Sequence, residues 1–178
     1  MDDKNLVKEC QAENATAQRE LFDRFSSKML GVTIRYMKDQ SRAEDVLQEG
    51  FIKVFKNIHR FENKGSLEGW IRRIMVNTAL DHIRKYKKEK YNIELDSTTF
   101  KVSVNSKAES ILQTEVLLEL VQQLPEGYRV IFNMFAIEGY SHKEIAEKLE
   151  ISESTSKSQY LRARKALREA LEKYGIER

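Results

Sequence analysis

Between Ala43 and Ile58 the residues Ala43, Val46, Leu47, Gly50, Phe51, Val54, Phe55 and Ile58 follow one another at spacings of 3, 1, 3, 1, 3, 1 and 3. A strand scatters such residues over both its faces, whereas a helix of 3.6 residues per turn gathers them into one stripe. The opposite side carries Asp45, Gln48, Glu49, Lys53 and Lys56. The segment therefore reads as an amphipathic helix that must bury one face against other helices. Ahead of it, Ser41-Arg42-Ala43-Glu44 has the form of a capping box.

Two similar stripes flank it. Leu21, Phe22, Phe25, Met29, Leu30, Val32 and Tyr36 mark an earlier helix. Trp70, Ile71, Ile74, Thr78 and Ile83 mark a later one, from near Ser66 to about Tyr86. The stretch from His59 to Gly69 is polar and reads as a loop. With a single proline, seven glycines and no sustained alternation in 178 residues, little turn chemistry remains for a β fold. The expected class is all-α.

Residues 87–110 break the pattern. They are polar, rich in Ser, Thr and Asn, and carry no helical stripe. The expected organisation is two small helical domains, 1–86 and 111–178, on a flexible linker. The alternating Phe100–Val104 is a weak strand signal without a partner.

The second block begins with a stripe of Ile111, Val116, Leu117, Leu120, Val121 and Leu124. Pro125 is expected to start the next helix, where its missing N–H costs nothing. Tyr128, Ile131, Phe132 and Phe135 form that helix's apolar face, and Gly139 suits its C-terminal turn. Ser141-His142-Lys143-Glu144 is a second capping box. It opens a short helix with Ile145, Ala146 and Leu149 inside; Ile151 packs in the turn, and Ser152 caps a longer helix. There Ser156, Tyr160, Ala163 and Leu167 share one face. Lys157, Ser158, Leu161, Arg162 and Arg164–Lys165 lie mainly on the other. Charge follows the same division. Glu115 to Glu153 holds eight acids and three bases, and Ser154 to Arg178 holds seven bases and three acids. Short helix, tight turn and basic longer helix make a helix-turn-helix pattern whose second helix fits a DNA major groove. A packed helical hairpin with a solvated basic face has the same spacing.

Other chemistry finds no footing. Cys10 has no cysteine partner, which fits a reducing cytosol. His59, His82 and His142 are scattered and give no metal-site spacing. There is no phosphate-cradling glycine loop and no nucleophile motif. No cofactor and no enzymatic activity are expected. No apolar run approaches a membrane span, so no membrane insertion is expected either.

Three stretches carry a family resemblance: AEDVLQEGFIKVF (Ala43–Phe55), GSLEGWIRRIMVNTALDHIRK (Gly65–Lys85) and LPEGYRVIFNMFAIEGYSHKEIAEKLEISESTSKSQYLRARKALR (Leu124–Arg168). They resemble bacterial RNA polymerase sigma factors of the extracytoplasmic-function group. The first two match region 2 and the third matches region 4, in family order. The resemblance implies an alternative sigma factor in the cytoplasm, whose partners are core RNA polymerase and promoter DNA. Region 2 would dock on the β′ clamp helices through Asp45, Gln48 and Glu49, with the β flap as a further polymerase contact. The loop Phe61–Leu67 would capture a base flipped out at the minus-ten element.

On that reading Phe61, Asn63, Lys64 and Ser66 line the loop, and Asn77 reaches up from the helix below. Arg73, Asn77 and Arg84 share a face for backbone phosphate. Phe61 either stacks on the base or packs in the core, and Trp70 reads as core. Lys157, Ser158, Leu161 and Arg162 would touch base edges of the minus-thirty-five element, coinciding with the outward positions found from spacing. The group often has an anti-sigma partner. Family members commonly carry an apolar residue where Ser156 stands; serine forgoes burial worth about 1–2 kcal/mol, and Tyr160 is large enough to fill part of the space. Two readings compete: a stand-alone DNA-binding regulator with a partner-binding domain, and an RNA-binding protein. Dependence of DNA binding on core polymerase separates the first from a sigma factor.

Overall fold

The computed structural model describes residues 1–90 and 113–173, with side chains described over 1–86 and 116–173. Ile111 and the alternating stretch Phe100–Val104 lie outside the described residues. The chain divides into two compact units, Met1–Leu95 and Asp96–Arg178. All regular structure among the described residues is helical.

The N-terminal unit holds α1 (Asp3–Gln11), α2 (Ala15–Tyr36), α3 (Gln40–Asn57) and α4 (Leu67–Lys90). Asn14 caps α2, its Oδ1 accepting from the N–H groups of Thr16 and Ala17 at 3.0 and 3.3 Å. The stripes of α2, α3 and α4 meet as expected: Leu21, Met29, Tyr36, Val46, Val54, Ile71 and Met75 are all buried. Gly50 lies against Met75 of α4; a Cβ there would overlap Met75 Sδ. α4 continues to Lys90, so the first four residues of the stretch read as a linker are helical.

Two local expectations need correction. The cap of α3 is Asp39, whose Oδ1 accepts from Arg42 N–H at 3.1 Å, and Ser41 lies inside the helix. A carboxylate caps a helix start at least as well as a hydroxyl and also meets the positive end of the dipole. Secondly, α1 was not anticipated. Its signal is short: Leu6, Val7 and Cys10 fall on one face and are buried, beneath an Asp2 cap.

The C-terminal unit contains α5 (Gln113–Gln123), α6 (Glu126–Phe132), a π-helical turn (Asn133–Ile137), α7 (His142–Leu149) and α8 (Glu153–Lys173). Its apolar centre is Val116, Leu120, Val121, Leu124, Ala163, Leu167 and Ala170. Pro125 is the N-cap of α6, one residue before the helical position expected for it. Gly139 adopts φ 77°, and Tyr140 N–H reaches back to the Met134 carbonyl at 2.9 Å. A side chain resists that left-handed conformation, which is why glycine serves there.

Candidate DNA and polymerase interfaces

In the C-terminal unit the capping box at Ser141 forms in full. Ser141 Oγ accepts from Glu144 N–H at 3.2 Å, and Glu144 Oε2 accepts from Ser141 N–H at 2.8 Å. Ile145 is wholly buried. α7 ends at Glu150, which takes a left-handed conformation with φ 55°. Ile151 N–H closes the turn on the Ala146 carbonyl at 3.1 Å, and Ser152 Oγ caps α8 by accepting from Thr155 N–H at 3.0 Å. Ser156, Ala163 and Leu167 then face inward and are buried, with Tyr160 half-buried beside them.

Lys157, Ser158, Leu161 and Arg162 all face out, Leu161 with 67% of its surface exposed. Lys157 Nζ sits 2.7 Å from Glu153 Oε1, and Ser158 Oγ donates to the Thr155 carbonyl at 3.0 Å. Exposed pairs of this kind are weak and exchange readily for another anion such as a phosphate. The face offers cations, a hydroxyl and an aliphatic tip, the groups that meet phosphates, base edges and a thymine methyl.

The space beside Ser156 is closed by polar and aromatic groups. Ser156 Oγ lies 2.9 Å from His142 Nδ1. The His142 ring stacks on Phe135 at 4.2 Å between centroids, and Tyr160 packs on Phe135 at 4.5 Å. Burial, and secondarily the Lys157 charge, lowers the pKa of His142. Sequence alone did not pair His142 with Ser156, because the link crosses from the first residue of α7 to the first turn of α8.

In the N-terminal unit the loop between α3 and α4 follows a 3-10 turn, Ile58–Arg60. Asn63, Lys64 and Ser66 are exposed. Asn63 and Gly65 take left-handed conformations, φ 55° and 90°. Lys64 pairs with Glu62 at 2.6 Å, and Ser66 Oγ accepts from Gly69 N–H at 3.3 Å at the start of α4. Phe61 does not line the loop as a stacking platform. It is 5% exposed, with its ring against Trp70 at 5.4 Å. Packing wins because the ring has an aromatic partner beneath the loop and would otherwise stand in water. Trp70 itself is half-buried.

Arg73, Asn77 and Arg84 are exposed along α4. Asn77 stands ten residues beyond Leu67, about 15 Å along the axis of α4 at 1.5 Å per residue. It shares an exposed strip of α4 with Arg73 and Arg84. Arg84 Nη1 also pairs with Asp81 at 3.3 Å.

Asp45 and Gln48 are exposed on α3, whereas Glu49 is half-buried. Glu49 Oε1 accepts from Lys53 Nζ at 2.8 Å while Oε2 meets His82 Nε2 on α4. Lys53 continues the chain to Asp81 at 3.4 Å. The hydrogen bond from Lys53, then that from His82, holds the Glu49 carboxyl below its ordinary pKa. Glu49 therefore ties α3 to α4, unlike the solvent-facing acid expected beside Asp45. Ile52, off the apolar stripe and 52% exposed, shares the Asp45–Gln48 face and was overlooked; an apolar residue on a polar face was its signal.

Among the described residues no group of three His, Cys, Asp or Glu side chains is placed to hold a metal ion. Among them also, no helix is long and apolar enough to cross a membrane.

Residues 21–89 match the family model for Sigma-70 region 2, and residues 114–167 match that for Sigma-70, region 4. The chain is 31% identical over 153 residues to the RNA polymerase sigma factor SigZ of Bacillus subtilis, covering 86% of each protein. It is 29% identical over 179 residues to the ECF RNA polymerase sigma factor SigW of the same organism, covering 94% of this chain and 96% of that one. Among solved structures it resembles the sigma factor RpoE of Bartonella quintana, crystallised with the anti-sigma factor NepR. The TM-score is 0.57 at 20% identity, over 90% of this chain and 98% of that one; at this identity the likeness speaks for the fold. With both regions matched in order along the chain, it belongs to the sigma-70 family of RNA polymerase sigma factors, in its extracytoplasmic-function group, and directs promoter-specific transcription initiation as an alternative sigma factor.

Proposed function

We propose that the two promoter elements are read by separate surfaces of the two units. Lys157, Ser158, Leu161 and Arg162 on α8 enter the major groove of the minus-thirty-five element while it is still duplex. The loop side chains of Asn63, Lys64 and Ser66 hold a base unstacked from the minus-ten element, and Arg73 and Asn77 follow the DNA along α4. Phe61 supports this loop from below and Trp70 supports Phe61. Asp45 and Gln48, with Ile52 beside them on the same exposed face of α3, form the face for the β′ clamp helices; Glu49 keeps α3 and α4 in register behind it. The C-terminal unit contacts the β flap.

The observation that carries the reading is the division of α8. Ser156, Ala163 and Leu167 are buried while Lys157, Ser158, Leu161 and Arg162 are exposed, so the helix presents one continuous outward face with two cations. The protein acts in the cytoplasm, catalysis belongs to the polymerase, and the relatives crystallised with NepR and CnrY support an anti-sigma partner here as well.

Gel shifts with and without core enzyme test the reading. Arg162→Ala should weaken holoenzyme binding to duplex promoter by about 1–3 kcal/mol if it reads a guanine edge. Unaltered duplex binding by this variant would remove α8 as the reader. Full-strength operator binding without core enzyme would favour a stand-alone regulator.

A further inference from the structure

Helix α1 lies before residue 21, where the region 2 match begins. It is firmly attached. Leu6, Val7 and Cys10 are buried beneath it. Arg24 of α2 reaches Asp3 Oδ1 at 3.1 Å and donates to the Met1 carbonyl at 2.7 Å, and the Met1 ammonium group pairs with Glu20 at 3.2 Å. The far end is fixed by Glu13, left-handed at φ 59°, and by the Asn14 cap of α2.

The last residue of α1 faces another part of the unit. Gln11 Nε2 donates to the Ile58 carbonyl at 3.1 Å, across 47 residues of sequence. The same carbonyl accepts from Phe61 N–H, also at 3.1 Å. Ile58 begins the 3-10 turn that ends α3, and Phe61 begins the loop. Carbonyls at a helix C-terminus lack intrahelical partners and otherwise turn to water. Here both acceptor positions of one such carbonyl are filled, one by the loop's own backbone and one by a side chain from α1. Phe61 is held a second time by Trp70. The loop is thus rooted at its first residue from two sides.

We propose that α1, through the Gln11–Ile58 hydrogen bond, sets the position of the Phe61–Leu67 loop for capture of the unstacked promoter base. Gln11 is a positioning residue for strand opening. This rests on the role given to the loop under the proposed function.

The test uses full-length protein assembled with core polymerase. Gln11→Met keeps the length and volume and removes the donor, while Gln11→Lys keeps a donor. Gln11→Met should lower permanganate reactivity of minus-ten thymines about threefold to tenfold, the scale of one lost hydrogen bond. Core affinity and duplex binding should stay at parental levels, and Gln11→Lys should recover opening. A premelted bubble template should not rescue Gln11→Met, because the captured base still meets a displaced loop. Parental opening by Gln11→Met overturns the proposal. So does a loss of core affinity in step with opening, which marks a general structural role. A control variant, Asn63→Gly with Lys64→Ala, keeps the left-handed backbone and strips the loop. If it too opens promoters normally, the loop reading itself is at fault; if it fails while Gln11→Met succeeds, only the role of α1 falls.

Discussion

In the N-terminal unit, α3 and α4 come together where Gly50 faces Met75, with Val46, Val54, Ile71 and Leu80 closing around them. Among its described residues the buried polar side chains are Thr33 and Thr78, and each hydroxyl donates to a carbonyl of its own helix, Leu30 at 3.1 Å and Ile74 at 2.8 Å. The C-terminal unit instead buries Arg129, Asn133 and Ser156. Arg129 Nη1 donates to the Leu124 carbonyl at 2.9 Å and to that of Gln122 at 3.4 Å, closing the end of α5. The difference follows from length. α2, α3 and α4 run 22, 18 and 24 residues, whereas α5, α6 and α7 run 11, 7 and 8. Short helices bring more unsatisfied ends into the interior per buried apolar residue. One unit is therefore held by interlocking stripes, and the other also depends on particular polar partners.

The comparison breaks most visibly at Arg129. Arg129→Ala should destabilise the C-terminal unit by about 3 kcal/mol, since it removes the donor to the Leu124 and Gln122 carbonyls and opens a cavity. The N-terminal unit should keep its transition. Trp70, the one tryptophan, reports on that unit, so fluorescence and far-UV circular dichroism during denaturation separate the two. A matching shift in both signals would show that the units do not unfold independently.

The next effect lies on the other side. Gly50→Leu should cost the N-terminal unit about 2 kcal/mol by overpacking α3 against α4, seen as an earlier tryptophan transition. An unshifted midpoint would mean that Met75 yields freely and that the contact carries little.

The smallest effect sharpens the contrast. Ser156→Ala removes the partner of His142 Nδ1 and should cost the C-terminal unit about 1 kcal/mol. The same site sets a pH dependence. Burial and Lys157 lower the His142 pKa from its ordinary 6.5, so folding favours the neutral ring. That contribution is complete above the unfolded value and is lost as pH falls through the folded one. The C-terminal unit should therefore weaken below about pH 6.5, and His142→Gln should flatten the slope. In the N-terminal unit the lowered pKa of Glu49 acts in the same direction only in the more acidic carboxylate range. An equal slope in His142→Gln would detach the effect from this ring.

Sequence by itself determined the helical stripes, the capping box at Ser141 and the inward and outward faces of α8. Each depends only on periodicity or on residues within four positions of one another, so the chain carries them locally. It did not determine which of two nearby caps opens α3, where Asp39 prevails over Ser41. Tertiary structure decided the partners of side chains whose alternatives were equal in sequence. Phe61 was free to stack on a base or pack inside until Trp70 was found beneath it. Glu49 read as a surface acid until α4 brought His82 against it. Arg129, His142 with Ser156, and Gln11 with Ile58 are contacts between elements, fixed by how helices meet. Spacing along one helix carries no information about the atoms on another, and for polar groups in a thin core those atoms decide the free energy.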